Sequence, residues 1–401
     1  MTDYTADVVV VGGGAVGTST AFHLASLGAG RVVLCERRSL AAGASGRSGA
    51  LVRMHYTNEP EARLAFLSLR YFRNWDELVG AGDCGFVPSG FVRLVSPENL
   101  GKLRANVEML RRVGINTRII GREELAELAP EWDLSDVEIA AYEPDSGYAN
   151  PVATTEGFAE RARQLGADIR TGTEVTGIRV DGGRVAGVAT SAGFISTRTV
   201  VIAGGAWAVP LLRSLGVGVD LRPARIQVAI FDRPPVLGTG RPLITCIDGA
   251  NGMYFRSEGP DWSRILAGLS SYRLPLEDPD QLKSEADPDY LAAVRERLSR
   301  RLPVMGFVPP RGGWAGAIVL SPDGKPVIDR HPEVEGLYFF TADNGTSFKT
   351  SPAVGLTLAE WVVFGAPRSV DVRPFRASRF AEGKPLIGEH EYEDLLGDAL
   401  R

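Results

Sequence analysis

The clearest pattern near the start of the chain is Asp7–Val11, an acidic residue followed by four valines with no polar alternation. Such a run predicts a strand buried on both faces of a parallel sheet. Gly12-Gly13-Gly14-Ala15-Val16-Gly17 follows, and then apolar Ala21, Leu24, Ala25 and Leu27 predict a helix ending before Gly28. Arg31–Cys35 predicts a second strand, closed by Glu36. The unit fits in about 30 residues, the size of one βαβ crossover.

Further on, the periodicity predicts amphipathic helices over Glu61–Leu78 and Pro97–Val113, and a strand pair over Phe86–Val95 turning at Ser89-Gly90. A helix at Gly157–Leu165 precedes short strands at Asp168–Arg170, Val175–Val180, Arg184–Thr190 and Thr199–Ile202. A second strand-rich region runs from Leu221 to Leu269, followed by a charged helix at Pro288–Arg301 and a strand at Gly312–Leu320. Leu337–Thr341 is a short buried strand that leads through Asn344–Ser347 into a helix starting near Pro352. The stretch from Ala366 reads as irregular. Its acidic end, with Glu389, Glu391, Glu393 and Asp394, predicts a solvated tail.

Composition narrows the classes. The chain has 401 residues, 44% hydrophobic and 23% charged, so it is expected to fold as two or three globular domains. Lys+Arg 44 against Asp+Glu 49 leaves a net charge of −5, and no basic run is present. That balance argues against nucleic acid or anionic lipid as a partner. The apolar stretches are strand-length, which predicts no membrane span. Acidic Asp3 and Asp7 without a basic leader predict no secretory signal. Cys35, Cys84 and Cys246 are odd in number and far apart, which predicts a cytoplasmic protein with no disulfide framework and no metal site.

Gly12, Gly14 and Gly17 form a GxGxxG turn between strand and helix. Gly12 permits the tight turn, Gly14 lets backbone approach a diphosphate, and Gly17 lets helix pack on strand. With Ala15 and Val16 they set the anion at a helix N-terminus, whose unpaired N–H groups favour negative charge. Glu36, 19 positions after Gly17, is placed to accept the hydroxyls of an adenosine ribose. An ordinary glycine-rich turn is the alternative, and strand, helix and acid together favour the dinucleotide. The fingerprint alone does not separate FAD from NAD.

Three further segments do so by resemblance. Glu36-Arg37 with Ala44-Ser45-Gly46-Arg47-Ser48-Gly49-Ala50-Leu51-Val52-Arg53 resembles the flavin-entry loop of the D-amino-acid oxidase/sarcosine oxidase superfamily. Ala203-Gly204-Gly205-Ala206-Trp207 resembles its second glycine-rich FAD contact. Trp314-Ala315-Gly316, Ser321–Ile328 and Gly345-Thr346-Ser347-Phe348-Lys349 resemble its C-terminal signature. The elements occur in family order over nearly the whole chain. They are most similar to the branch of glycine oxidase, monomeric sarcosine oxidase and the sarcosine oxidase β subunit.

The resemblance implies FAD contacts from these loops and from Val175, with Arg53 and Lys349 holding a substrate carboxylate over the flavin. The alternative for either cation is a structural ion pair, and Glu59 and Glu61 lie near Arg53 in sequence. His55 and Tyr254 are further candidates for the catalytic pocket, although lone histidines and strand aromatics more often serve packing. Gly345–Ser347 before a helix start is expected to aim N–H donors at the flavin pyrimidine. Departures matter too. The family's covalent cysteine and histidine fall at Gly316 and near Arg47, which implies non-covalent FAD. The lysine that promotes oxygen reactivity falls near Tyr254, which leaves the acceptor open between oxygen and another molecule.

The expected fold is α/β, a discontinuous Rossmann-type FAD-binding domain (residues 1–84, 145–220 and 317–401) with a mixed-sheet α+β substrate domain (85–144 and 221–316). The expected reaction is oxidation of the C–N bond of an amino acid or N-alkylated amine to an imine. A 2-hydroxy acid substrate, or a flavin-bearing subunit of a larger dehydrogenase, are the alternatives.

Overall fold

The computed structural model describes residues 4–270 and 272–393. Its first sheet has six strands in the order Val327–Arg330, Leu337–Thr341, Val200–Ile202, Val8–Val11, Val32–Cys35 and Asp168–Arg170. All neighbours are parallel except Val327–Arg330, which is antiparallel to Leu337–Thr341. The valine run explains itself here. Val8 and Val10 join a core with the helices Ala15–Ser26, Glu59–Arg73 and Ser351–Phe364, whereas Val9 and Val11 join a separate core on the opposite face. With both faces covered, polar alternation has no place. The second core is closed by a smaller sheet of Tyr4–Thr5, Gly193–Ser196, Arg184–Thr190 and Val175–Asp181.

The second large sheet has nine strands, drawn from residues 91–143 and 222–320. Helix Pro288–Arg301 buries Tyr290, Val294 and Leu298 against one face of it. The opposite face looks toward the six-stranded sheet. Strand Pro310–Leu320 pairs with Arg222–Asp232, in regular register from Arg222 to Ile230, so the expected boundary between 316 and 317 falls inside a strand.

Local differences have tertiary causes. No hairpin forms over Phe86–Val95. Val87 bridges Tyr148, and Phe91–Leu94 pairs with Thr245–Asp248 and Ile139–Glu143, distant partners that outcompete a local turn. The helix expected over Glu61–Leu78 is Glu59–Arg73 plus a short turn Trp75–Leu78, broken at Asn74. The helix expected at Gly157 starts at Pro151, capped by the Asn150 side chain. The stretch after Ala366 packs on the body of the protein, although Glu389 and Glu393 of its acidic end are exposed as expected. Phe375 and Arg379 are buried, the latter paired with Asp323 at 2.7 Å, and residues 385–393 cross the face of a cavity. Asp394 lies outside the described residues. The three cysteines are free and buried. Among the described residues no helix is long and apolar enough to cross a membrane, and no cluster of acids, histidines and cysteines could hold a metal ion.

Candidate active site

Two adjoining cavities lie between the large sheets. The first follows the glycine turn. Gly12 has φ +108°, and a Cβ there would stand 2.6 Å from the Ala203 carbonyl, while one on Gly17 would strike the Gly12 carbonyl. Both positions therefore require glycine. Glu36 ties the turn to the second strand, its Oε2 accepting the Gly13 N–H at 2.7 Å and its Oε1 the Arg38 N–H at 2.8 Å. Ser45 reaches back from the entry loop, where its hydroxyl accepts the Ala15 N–H at 2.9 Å.

Of the candidate cofactor residues, Gly12, Gly14, Ala15, Val16, Glu36, Arg37, Ala44, Ser45, Arg47, Ser48 and Gly49 line this cavity. So do Val175, Gly204, Gly205 and Trp207 on its far wall, and Gly345, Ser347 and Phe348 at its inner end. Gly17 packs beneath it, and Thr346 and Lys349 face the neighbouring cavity. The glycine cradle, a helix start without acidic residues and the acid at the strand end fit an elongated anionic dinucleotide. Arg37 and Trp207 are also held by Asp280, at 2.5 and 2.9 Å. Arg47 spends its guanidinium on the Ala42 and Gly43 carbonyls and thereby braces the entry loop.

The expected donor loop is only partly available. The Gly345 N–H is taken by the Asp343 carboxylate at 2.8 Å and the Thr346 N–H by the Asp343 carbonyl at 2.9 Å, so both turn inward. Burial pushes the Asp343 carboxyl up to about 6, against the bonds from Gly345 and Val319.

The second cavity, of about 1040 Å³, meets the first at Gly49, Tyr254, Ile318, Gly345 and Phe348. Arg53 and Lys349 converge in it on one aromatic ring. The guanidinium carbon lies 4.7 Å and the ammonium nitrogen 5.5 Å from the centre of Tyr56. Arg53 donates to the His55 carbonyl, and Lys349 Nζ donates to the Thr346 carbonyl at 2.5 Å. Neither forms an ion pair among the described residues. Glu59 is bound to Arg63 at 2.6 Å and Glu61 to Lys325 at 3.5 Å, so the alternative pairing for Arg53 does not occur. Lys349 is 6% exposed, and burial, with Arg53 adding and Glu61 opposing, holds its amine well below the ordinary lysine range.

His55 is placed differently from a free base. Its Nε2 lies 2.7 Å from Tyr392 Oη, and burial, reinforced by Arg93 and Arg53, keeps the imidazole neutral far below its usual range. Tyr254 lines both cavities, its phenol pushed up to about 12 by burial.

Two neighbours of the cavity were not among the candidates, Glu143 and Lys325. Glu143 is fully buried; its Oε2 accepts the Met54 N–H at 2.9 Å and the Ser146 hydroxyl at 2.7 Å, and burial raises its carboxyl to about 7. A lone acid ending the apolar run Ile139–Tyr142 was the only hint. Lys325 bridges Glu61 and Glu391, at 3.5 and 3.0 Å, and so pins residues 385–393 across the cavity.

Comparison with known proteins agrees with this architecture. Residues 7–361 match the family model described as FAD dependent oxidoreductase (DAO). The bovine (Bos taurus) protein named FAD-dependent oxidoreductase domain-containing protein 1 is 28% identical, over 94% of this chain and 85% of its own. Mitochondrial sarcosine dehydrogenase of Mus musculus is 28% identical over 93% of this chain, which spans 42% of that longer protein. Among solved structures, L-proline dehydrogenase from P. horikoshii superposes with a TM-score of 0.88 at 26% identity, covering 96% of this chain and all of the other.

Proposed function

The chain belongs to the FAD-dependent oxidoreductase family, and from that premise we propose that it oxidises the C–N bond of an amino acid or N-alkylated amine. The observation that carries this reading is the pair of basic side chains without an ion-pair partner among the described residues, Arg53 and Lys349, at the end of a cavity that opens onto the glycine-lined one. Names among the relatives and structural neighbours, sarcosine dehydrogenase and L-proline dehydrogenase, support the same substrate class.

In this reading the backbone at Gly12 and Gly14 receives the diphosphate and Glu36 the ribose, with FAD held non-covalently. Gly316 and Arg47, which stand side by side, offer no covalent attachment. Bound FAD supplies the two-electron acceptor. Arg53 presents a fork to the substrate carboxylate and Lys349 a compact charge, which together fix the Cα–H direction. Lys349 Nζ takes up a proton as the carboxylate arrives, because an adjacent anion restores the basicity that burial removed. His55, neutral and tied to Tyr392, walls the cavity and excludes water. The substrate loses a hydride and the amine proton, and the resulting imine adds water to release amine and carbonyl products. Tyr254 stands where the family's oxygen-promoting lysine is expected, so the reading favours an acceptor other than oxygen.

The test is anaerobic reduction of the purified holoprotein by panels of amino acids, N-methyl amines and 2-hydroxy acids. Bleaching of the flavin by amines supports the proposal. Bleaching by hydroxy acids alone, or by nothing until a second protein is added, overturns it.

A further inference from the structure

The larger cavity holds a third cation with no structural work to do. Arg273 follows the strand Arg264–Leu269, and its Nη1 is buried without a hydrogen-bond partner among the described residues. Other charges of the cavity are committed: Lys102 to Glu393 at 2.7 Å, and Lys325 to Glu61 and Glu391. Gln227, on the same wall, is spent on Asp287 through both ends of its amide. Asp343 is the acid whose charge Arg273 feels. Its two oxygens serve the Gly345 and Val319 N–H groups, and no ion pair with Arg273 forms. A guanidinium nitrogen buried with its bond unmade is unfavourable unless a ligand completes it.

Resting on the reaction assigned above, we propose that Arg273 receives a second acidic group of the substrate, so that the preferred substrate is a dicarboxylic amine. One carboxylate lies between Arg53 and Lys349 and the other at Arg273. The two cationic ends are distinct: Arg53 and Lys349 share the Tyr56 ring, whereas Arg273 lies beside the edge strand Leu274–Pro275. Apolar Ile226, Leu269 and Ile318 line the same cavity, which suits a carbon chain between the two charges. Guanidinium–carboxylate pairing is directional and strong, so a monocarboxylate forfeits a large part of its binding.

Titration of the holoprotein with glutarate and with butyrate, followed by the flavin spectrum and by calorimetry, tests the site without turnover. Glutarate is expected to bind about tenfold or more tighter than butyrate. Arg273→Leu is expected to bring glutarate down to the butyrate level with butyrate binding and FAD content unchanged, and Arg273→Lys to restore part of the difference. Equal binding of the two acids by the native protein overturns the proposal. A loss of FAD in Arg273→Leu with no change in acid preference also overturns it, since Arg273 then serves the cofactor. If no amine bleaches the flavin while the glutarate preference and its loss in Arg273→Leu persist, the reaction is misread and the second anion site stands.

Discussion

His55 Nε2 and Tyr392 Oη lie 2.7 Å apart, with their rings 6.0 Å apart and tilted by only 11°, although 337 positions separate them in sequence. This contact joins the loop carrying Arg53 to the segment that crosses the cavity mouth. That segment is further held by Glu391 on Lys325, by the Leu386 N–H on Asp323 and by the His390 carbonyl on Asn106. Tyr392→Phe keeps the stacked ring and removes the hydroxyl, leaving a buried imidazole nitrogen unpaired. The expected result is a KM raised several-fold with FAD content and kcat little changed, as the cavity wall loosens. Steady-state kinetics on the best amine of the panel, with the flavin-to-protein absorbance ratio, checks it.

Lys349 gives a proton-coupled signature. Its folded pKa lies well below the ordinary lysine value, and a carboxylate beside it raises that value again. Binding of a carboxylate ligand is therefore expected to take up protons and to weaken as pH rises. Calorimetry in two buffers of different ionisation enthalpy measures the uptake directly. Lys349→Met should abolish it and lower affinity by about tenfold or more, the usual effect of losing a charge-assisted bond, while leaving FAD bound. Uptake persisting in the variant would remove Lys349 from the anion site.

Glu36 is expected to matter twice. It anchors the Gly13 turn and, in the proposed complex, accepts the ribose. Glu36→Ala removes both functions and should weaken FAD by about ten- to a hundredfold. Glu36→Gln keeps one acceptor for Gly13 and should fall between. Release of flavin fluorescence on dilution ranks the three proteins.

What could be read from the chain was whatever the backbone or a local face dictates. Val8–Val11 showed itself because strands covered on both sides tolerate no polar residue. Gly12 and Gly17 showed themselves because a side chain there meets backbone, the Ala203 and Gly12 carbonyls, and Gly14 because one would crowd the Ser45 hydroxyl. Arg53 and Lys349 were found through their family motifs, and the structure brings both onto Tyr56. What stayed hidden depends on pairings between remote segments: His55 with Tyr392, Lys325 with Glu391, Trp207 with Asp280. Ser89-Gly90 was misread for the same reason, since its flanks pair with Tyr148 and Thr245–Asp248 rather than each other. The short helix Arg122–Leu128 has too few turns for its periodicity to stand out.

Glu143 withdraws stability as pH rises toward neutrality. Its folded pKa is raised to about 7 by burial, above the value of 4.5 for an exposed carboxyl. A raised carboxyl contributes stability that is full below about 4.5 and is lost as pH rises through about 7, because the unfolded chain ionises first. The loss accumulates between those two values, where the folded and unfolded states hold different numbers of protons, and is complete just above pH 7. Neutral His23, held to about 3, and neutral His55 act in the opposite direction, withdrawing stability as pH falls below their unfolded value of 6.5. Asp343, raised to about 6, adds to the loss at still lower pH, between 3.8 and about 6. Glu143→Gln cannot ionise and retains an acceptor for the Met54 N–H. Melting curves between pH 4.5 and 8.5 should therefore show the variant declining less steeply than the native protein up to about pH 7, with the two running parallel above it. Curves parallel over the whole range would mean that the carboxyl is not raised, its charge answered by the neighbouring Arg53.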